Sequence, residues 1–123
     1  LDAAGVEVPE DIHGCSLLPL LKGEKWEPNR KALYYHYYEF PDEHTVRPHL
    51  GVRTERYKLI HIVPTEFAGK QLSGSWELFD LQQDPAELNN IYGTAGTEQL
   101  SDSLKALLKE LQMQYGEEQY IAQ

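Results

Sequence analysis

The spacing of apolar residues along this chain changes twice, and each change marks a different kind of element. Over residues 1–30 no period is sustained. Gly5, Pro9, Gly14, Pro19, Gly23 and Pro28 interrupt the segment at short intervals, which excludes long regular structure. The brief run Ser16-Leu17-Leu18-Pro19-Leu20-Leu21 predicts one helical turn that docks on a neighbouring surface. From residue 32 to 40 the pattern becomes that of a strand. Leu33-Tyr34-Tyr35-His36-Tyr37-Tyr38 is aromatic and closes at Pro41-Asp42. Residues 41–50 are polar and predict a loop. Residues 52–63 exceed a typical strand, and the polar Glu55-Arg56 pair divides them. The expectation is a hairpin of 51–54 against 57–63. Residues 64–75, with Gly69 and Gly74, predict a loop, and 76–80 a further strand.

Helical spacing appears at the end of the chain. Leu100, Leu104, Leu107, Leu108, Leu111 and Tyr115 follow one another at i, i+4, i+7, i+8, i+11 and i+15, a single stripe on a helix. Glu98 and Asp102 near its start and Lys105 and Lys109 further along suit the helix dipole. A shorter helix is expected from Asp84-Pro85-Ala86-Glu87, with Asp84 as cap, Pro85 at the first helical position and Glu87 returning the bond. Strands in sequence order followed by an amphipathic helix predict an α+β fold. A small antiparallel sheet of about four strands is packed by the C-terminal helix in a two-layer sandwich.

Composition narrows the classes. The 123 residues suffice for one modest core, and no apolar run has the length of a membrane helix. Eleven basic against 20 acidic residues give a formal charge of −9. That average disfavours nucleic acid and anionic lipid as partners, while leaving room for a local basic cluster that holds an anionic sugar. Cys15, the only cysteine, excludes an intrachain disulfide and a cysteine zinc site, and is read as a buried or semi-exposed structural thiol. The opening Leu1-Asp2-Ala3-Ala4-Gly5 reads as the tail of a helix with Gly5 in the C-cap position, as expected of a fragment.

Few residues carry candidate chemistry. His44, Arg47, His49 and Arg53 form the one cluster suited to an anionic or hydroxylated ligand, because guanidinium offers a planar donor fork and imidazole can donate to either group. The competing readings are a solvated loop for the first three and a structural carboxylate partner for Arg53. Alternation along a strand sends Tyr34, Tyr35, His36, Tyr37 and Tyr38 to opposite faces, which favours packing over a single sugar platform. His36 and His61 read as satisfied strand histidines, and Trp76 and Phe79 as core. Glu39, Asp42 and Glu43 read as solvated, not as a glycosidase pair.

Two motifs go further. Gly51-Val52-Arg53-Thr54-Glu55-Arg56-Tyr57-Lys58-Leu59-Ile60 is followed by Trp76-Glu77-Leu78-Phe79-Asp80-Leu81-Gln82-Gln83-Asp84-Pro85-Ala86-Glu87-Leu88-Asn89-Asn90. Together with Gly14, Ser16, Leu17, Pro19, Leu20, Leu21 and Gly23 upstream, they resemble the C-terminal subdomain of the type I, formylglycine-dependent sulfatases. The resemblance is to bacterial glycan sulfatases and heparan N-sulfatases. It implies that residues 1–30 are the exit segment from a catalytic domain and that residues 31–123 are the subdomain itself. It also implies a parent enzyme that hydrolyses sulfate esters or N-sulfate of a glycan such as a glycosaminoglycan. The nucleophile arises in that family from Cys-x-Pro-x-Arg. Cys15-Ser16-Leu17-Leu18-Pro19 does not match, so formylglycine and calcium are expected in the catalytic domain and no cofactor here. The expected partners are that domain and the sulfated glycan, and the expected location of the parent is periplasmic or secreted. Family loops lean toward the pocket, which implies substrate selection by His44, Arg47 and His49. Two alternatives stand beside this reading. One is a non-catalytic carbohydrate-binding or interaction module, and the other is part of a phosphoester or phosphonate hydrolase of the alkaline phosphatase superfamily.

Overall fold

A computed structural model describes residues 1–25 and 30–121, in two compact units, 1–31 and 32–123. Pro28, one of the expected breakers, lies outside the described residues. In the first unit a 3-10 turn at Asp2–Ala4 ends at Gly5, whose φ of 67° is the left-handed conformation that suits glycine. A single helical turn, α1, spans Leu18–Leu21 with Pro19 in its first turn. Ser16 links the 3-10 turn to α1: its hydroxyl donates to the Asp2 carboxylate and accepts the Leu18 N–H at 3.2 Å. Leu21 stays exposed, and so does Cys15, against the expectation of a buried or semi-exposed thiol. The breakers around Cys15 leave no core in the segment to cover it.

The second unit is built on four antiparallel strands, β1 (Leu33–Tyr37), β2 (His49–Arg53), β3 (Tyr57–Ile62) and β6 (Ser75–Asp80), in the order β1-β2-β3-β6. The hairpin between β2 and β3 turns where Glu55-Arg56 divides the apolar run. Thr54 closes it by accepting the Tyr57 N–H on its hydroxyl at 2.9 Å. Arg56 then grips Asp80 at the end of β6 through Nε and Nη2, at 3.1 and 2.7 Å. That donation holds the Asp80 carboxyl below its ordinary range.

Register assigns the faces. Tyr34, Val52, Leu59 and Leu78 pair across the four strands, and His36, Leu50, His61 and Trp76 do so two positions away, on the same side. Helix α2 (Glu98–Gln114) lays Leu104, Leu108 and Leu111 against this side. The result is the expected two-layer α+β arrangement. Each fully buried leucine contributes about 1.5–3 kcal/mol, and Leu50, Val52, Leu59 and Leu78 are at most 1% exposed. Gly116, at φ 71°, ends the helix, and the Glu117 N–H reverts to the Gln112 carbonyl at 2.8 Å. This reversal delivers Glu117 to β1. There its carboxylate accepts the Tyr34 hydroxyl at 2.5 Å and meets His36 Nδ1 at 2.8 Å.

Three further expectations are corrected. The segment 64–75 is not all loop: β4 (Thr65–Phe67) and β5 (Lys70–Leu72) form a second hairpin, turning at Ala68 and Gly69 with φ of 49° and 73°. A two-residue turn with both φ values positive matches strand twist, and alanine hid it because it seldom adopts that conformation. Residues 84–87 form a turn instead of a helix start. Glu87 sits at φ 55°, which ends any helical path, and its carboxylate meets Lys58 Nζ at 2.5 Å. Asp84 accepts the N–H of Asn89 at 2.7 Å instead of capping a helix. Finally, His49 and Leu50 belong to β2, not to the preceding loop.

Candidate functional site

The side of the sheet away from α2 carries Tyr35 and Tyr37 of β1, His49, Gly51 and Arg53 of β2, and Lys58 of β3. Gly51 is required by its neighbours. A Cβ there would stand 2.5 Å from both the Leu59 carbonyl oxygen and Tyr35 Oη, so the tyrosine ring lies directly over the glycine. Tyr35 Oη is buried and meets no hydrogen-bond partner. Burial first, then Glu87 and Glu77, pushes its ionisation well above the ordinary tyrosine value, and the ring stays a neutral phenol.

His49 lies at the end of this face. Its ring stacks on Tyr37, with centroids 5.4 Å apart and planes at 25°, and meets Tyr35 edge-on at 6.0 Å. His49 Nδ1 stands 2.9 Å from the Arg47 carbonyl. A carbonyl only accepts, so Nδ1 carries the proton, and in that tautomer Nε2 is an acceptor, suited to a hydroxyl.

Arg47 is bound inward. Its Nη2 donates to the carbonyls of Val63, Leu72 and Ser73 at 3.1, 3.3 and 2.7 Å, so the guanidinium fastens the loop to both ends of the β4–β5 hairpin. Its Nε is buried without a partner. Phe40 packs on Phe67 at 5.2 Å and fixes the start of the same loop to the same hairpin. His44 is exposed, on a turn closed by the Thr45 N–H on the Asp42 carbonyl at 3.1 Å. Arg53 is exposed at the end of β2, roughly 13 Å from His49 at ~3.3 Å per strand residue. Asp80, the carboxylate that ends β6, is held by Arg56 and not by Arg53.

The structure therefore joins Arg47 to His49 through a hydrogen bond. It sets His49 and Arg53 on one sheet face and leaves His44 apart on the loop. Tyr37 was missed as a neighbour of this group, although its register with His49 makes the contact; a strand assignment that included His49 would have exposed it. The arrangement offers donors, an acceptor and aromatic surface, the groups that binding a polar ligand requires. Among the described residues, no three His, Cys, Asp or Glu side chains stand together to hold a metal ion. No helix among them is long and apolar enough to cross a membrane.

A two-layer unit with this strand order, and with the Trp76-to-Asn90 motif on β6 and its following turn, is the architecture of a sulfatase C-terminal domain. The family described as N-sulphoglucosamine sulphohydrolase, C-terminal, matches residues 1–114, and the chain belongs to it. It is 48% identical over 117 residues to an N-acetylglucosamine-6-O-sulfatase of Bacteroides thetaiotaomicron, covering 94% of this chain and 20% of that protein. A protein solved in complex with its substrate D-glucosamine-2-N,6-O-disulfate superposes with a TM-score of 0.77 at 47% identity, over 94% of this chain and 22% of that one. A 2-O glycosaminoglycan sulfatase superposes with a TM-score of 0.78 at 26% identity, over 99% of this chain and 24% of that one. The chain thus spans about a fifth of the length of the curated relative, 20%.

Proposed function

We propose that the protein containing this chain is a glycan sulfatase that removes 6-O-sulfate from a glucosamine-type residue, and that this domain shapes the sugar side of its pocket. The observation that carries the reading is the 48% identity, over 94% of the chain, to an N-acetylglucosamine-6-O-sulfatase. In the reaction the sulfur–oxygen bond of the ester is hydrolysed, with sulfate and the free sugar hydroxyl as products. Formylglycine and calcium in the catalytic domain would supply the nucleophile and the charge neutralisation. No residue of this chain takes part in that cleavage. Residues 1–30 act as the exit segment of the catalytic domain and 31–123 as the substrate-shaping subdomain. His49 Nε2 receives a sugar hydroxyl, Arg53 and His44 contact anionic or polar groups of neighbouring residues, and Arg47 positions His49 and the loop.

Groups that hold a remote part of the substrate act through binding, so their loss spares a small substrate. The test compares kcat/KM of the full-length enzyme on 6-O-sulfated N-acetylglucosamine, on a 2-O-sulfated hexuronate and on a chromogenic aryl sulfate. Turnover is expected on the first and not on the second. His44→Ala, His49→Ala and Arg53→Ala are expected to lose far more on the glycan than on the aryl sulfate. Arg47→Ala is expected to do the same and also to lower the thermal midpoint, because it frees three carbonyls. Equal losses on both substrates would remove the sugar-selecting role, and preferred turnover of the 2-O ester would overturn the substrate.

A further inference from the structure

On the helix side of the sheet, a cleft of about 210 Å³ opens between α2 and the strands, lined by Leu50, Trp76, Lys105, Lys109, Gln112 and Ile121 among others. Its lining is mostly apolar, two lysines belong to it, and no acidic side chain does. In a chain of charge −9 this is a concentration of positive charge.

Gln112 is 2% exposed and lies on the leucine stripe, four residues after Leu108. It is near enough to Tyr34 to bear on that hydroxyl, yet Tyr34 gives its proton to Glu117 and no acceptor meets Gln112 Nε2 in hydrogen-bond geometry. A buried amide donor without an acceptor is costly, and a leucine at this position would pack without that cost. Lys105 is held at one end of the cleft. Its Nζ donates to Tyr92 Oη at 2.6 Å and stands 4.8 and 5.0 Å over the Trp76 and Tyr92 rings, with further protons left to donate. Lys109 is one turn further along the same helix and exposed. Between Leu50 and Trp76 in the cross-strand row, His61 has a buried Nδ1 with no partner, which corrects its reading as a satisfied histidine. Two lysines with protons left to donate and one buried amide without an acceptor, around a largely apolar lining, describe a site for an acceptor-rich ligand. The volume is below that of a pocket for a drug-sized molecule.

We propose that this cleft binds a small oxyanion, a sulfate or carboxylate, with Lys105, Lys109 and Gln112 Nε2 as its donors. The oxyanion is either free sulfate or the acidic group of a single sugar residue. The proposal does not depend on the sulfatase reading.

The experiment is calorimetric titration of the full-length protein with sodium sulfate, sodium glucuronate and neutral glucose at matched ionic strength, repeated on Lys109→Gln and Gln112→Met. The wild type is expected to bind at least one anion saturably and glucose not at all, and each variant to lose about tenfold in affinity at that site. Tighter binding of glucuronate assigns the site to a sugar acid, and tighter binding of sulfate to the free ion. Turnover of a small aryl sulfate, where present, should be unchanged in Lys109→Gln, which separates this site from any anion held during hydrolysis. Gln112→Met should also raise the ligand-free thermal midpoint, because it removes the unpaired amide, while abolishing the rise that the anion confers. No saturable anion binding, glucose binding equal to the anions, or affinities unchanged in both variants would overturn the proposal.

Discussion

Asn90 completes the outer edge of the sheet for Leu78. Its side-chain Oδ1 accepts the Leu78 N–H at 2.9 Å, and the next residue, Ile91, donates its own N–H to the Leu78 carbonyl at 2.9 Å. Leu78 is fully buried, so without Asn90 its N–H has neither a neighbouring strand nor water. The same oxygen accepts the Tyr92 N–H at 2.9 Å, and Nδ2 donates to the Trp76 carbonyl. Asn90→Ala is therefore expected to cost about 1–3 kcal/mol, the penalty of a buried unsatisfied donor. Asn90→Asp, which keeps the acceptor, is expected to lose less. Denaturant titration of both variants measures this, and a midpoint unchanged in Asn90→Ala would show that the edge finds another acceptor.

The leucine stripe gives a second expectation. Leu108 is 2% exposed, at the centre of the cluster with Val52, Leu59 and Leu78. Leu108→Ala is expected to cost about 2–5 kcal/mol, with Leu104→Ala in the same range. Met113, on the exposed side of the same helix, provides the comparison: Met113→Ala should stay within about 0.5 kcal/mol. Equal thermal midpoints for Leu108→Ala and Met113→Ala would mean that the helix is not part of the core.

Acid should act through Glu117. Burial raises its carboxyl, but donation by Tyr34 and His36 and the charge of His36 outweigh this, and the folded value lies below the ordinary 4.5. A carboxylate depressed in the folded state stabilises above its unfolded value, and the contribution is lost as pH falls through the folded one. Stability should therefore fall on acidification below about pH 4.5 more steeply in the wild type than in Glu117→Gln. Thermal midpoints from pH 6 to pH 3, roughly the carboxylate range, measure the two slopes. Parallel curves would place the acid sensitivity elsewhere.

What the sequence disclosed follows from how far apart the cooperating residues stand. The leucine stripe and the polar break at Glu55-Arg56 are local, and both elements formed where the spacing put them. The β4–β5 hairpin was hidden because its turn uses Ala68 at positive φ, for which alanine gives no signal. The helix expected at 84–87 failed against a tertiary demand: the chain must return to bring Asn90 to β6, and Glu87 must reach Lys58. In the candidate site, residue types were legible and geometry was not. Nothing near Arg47 in sequence marks Val63, Leu72 and Ser73 as its acceptors. Gln112 did leave a trace, since a polar residue four positions after Leu108 interrupts an otherwise apolar face.

The bond between Tyr34 and Glu117 spans 83 positions, whereas the sheet pairs β1 with β2, β2 with β3, and β3 with β6 across only the β4–β5 hairpin. Pairings between successive strands close short loops and form early, and a contact of such separation carries the largest loop-closure cost. The clasp that Gly116 delivers thus belongs to the last stage of folding. Its loss should leave the folding rate nearly unchanged and accelerate unfolding. Glu117 then acts as a latch on the finished domain, governing how long the sheet and helix stay together once assembled.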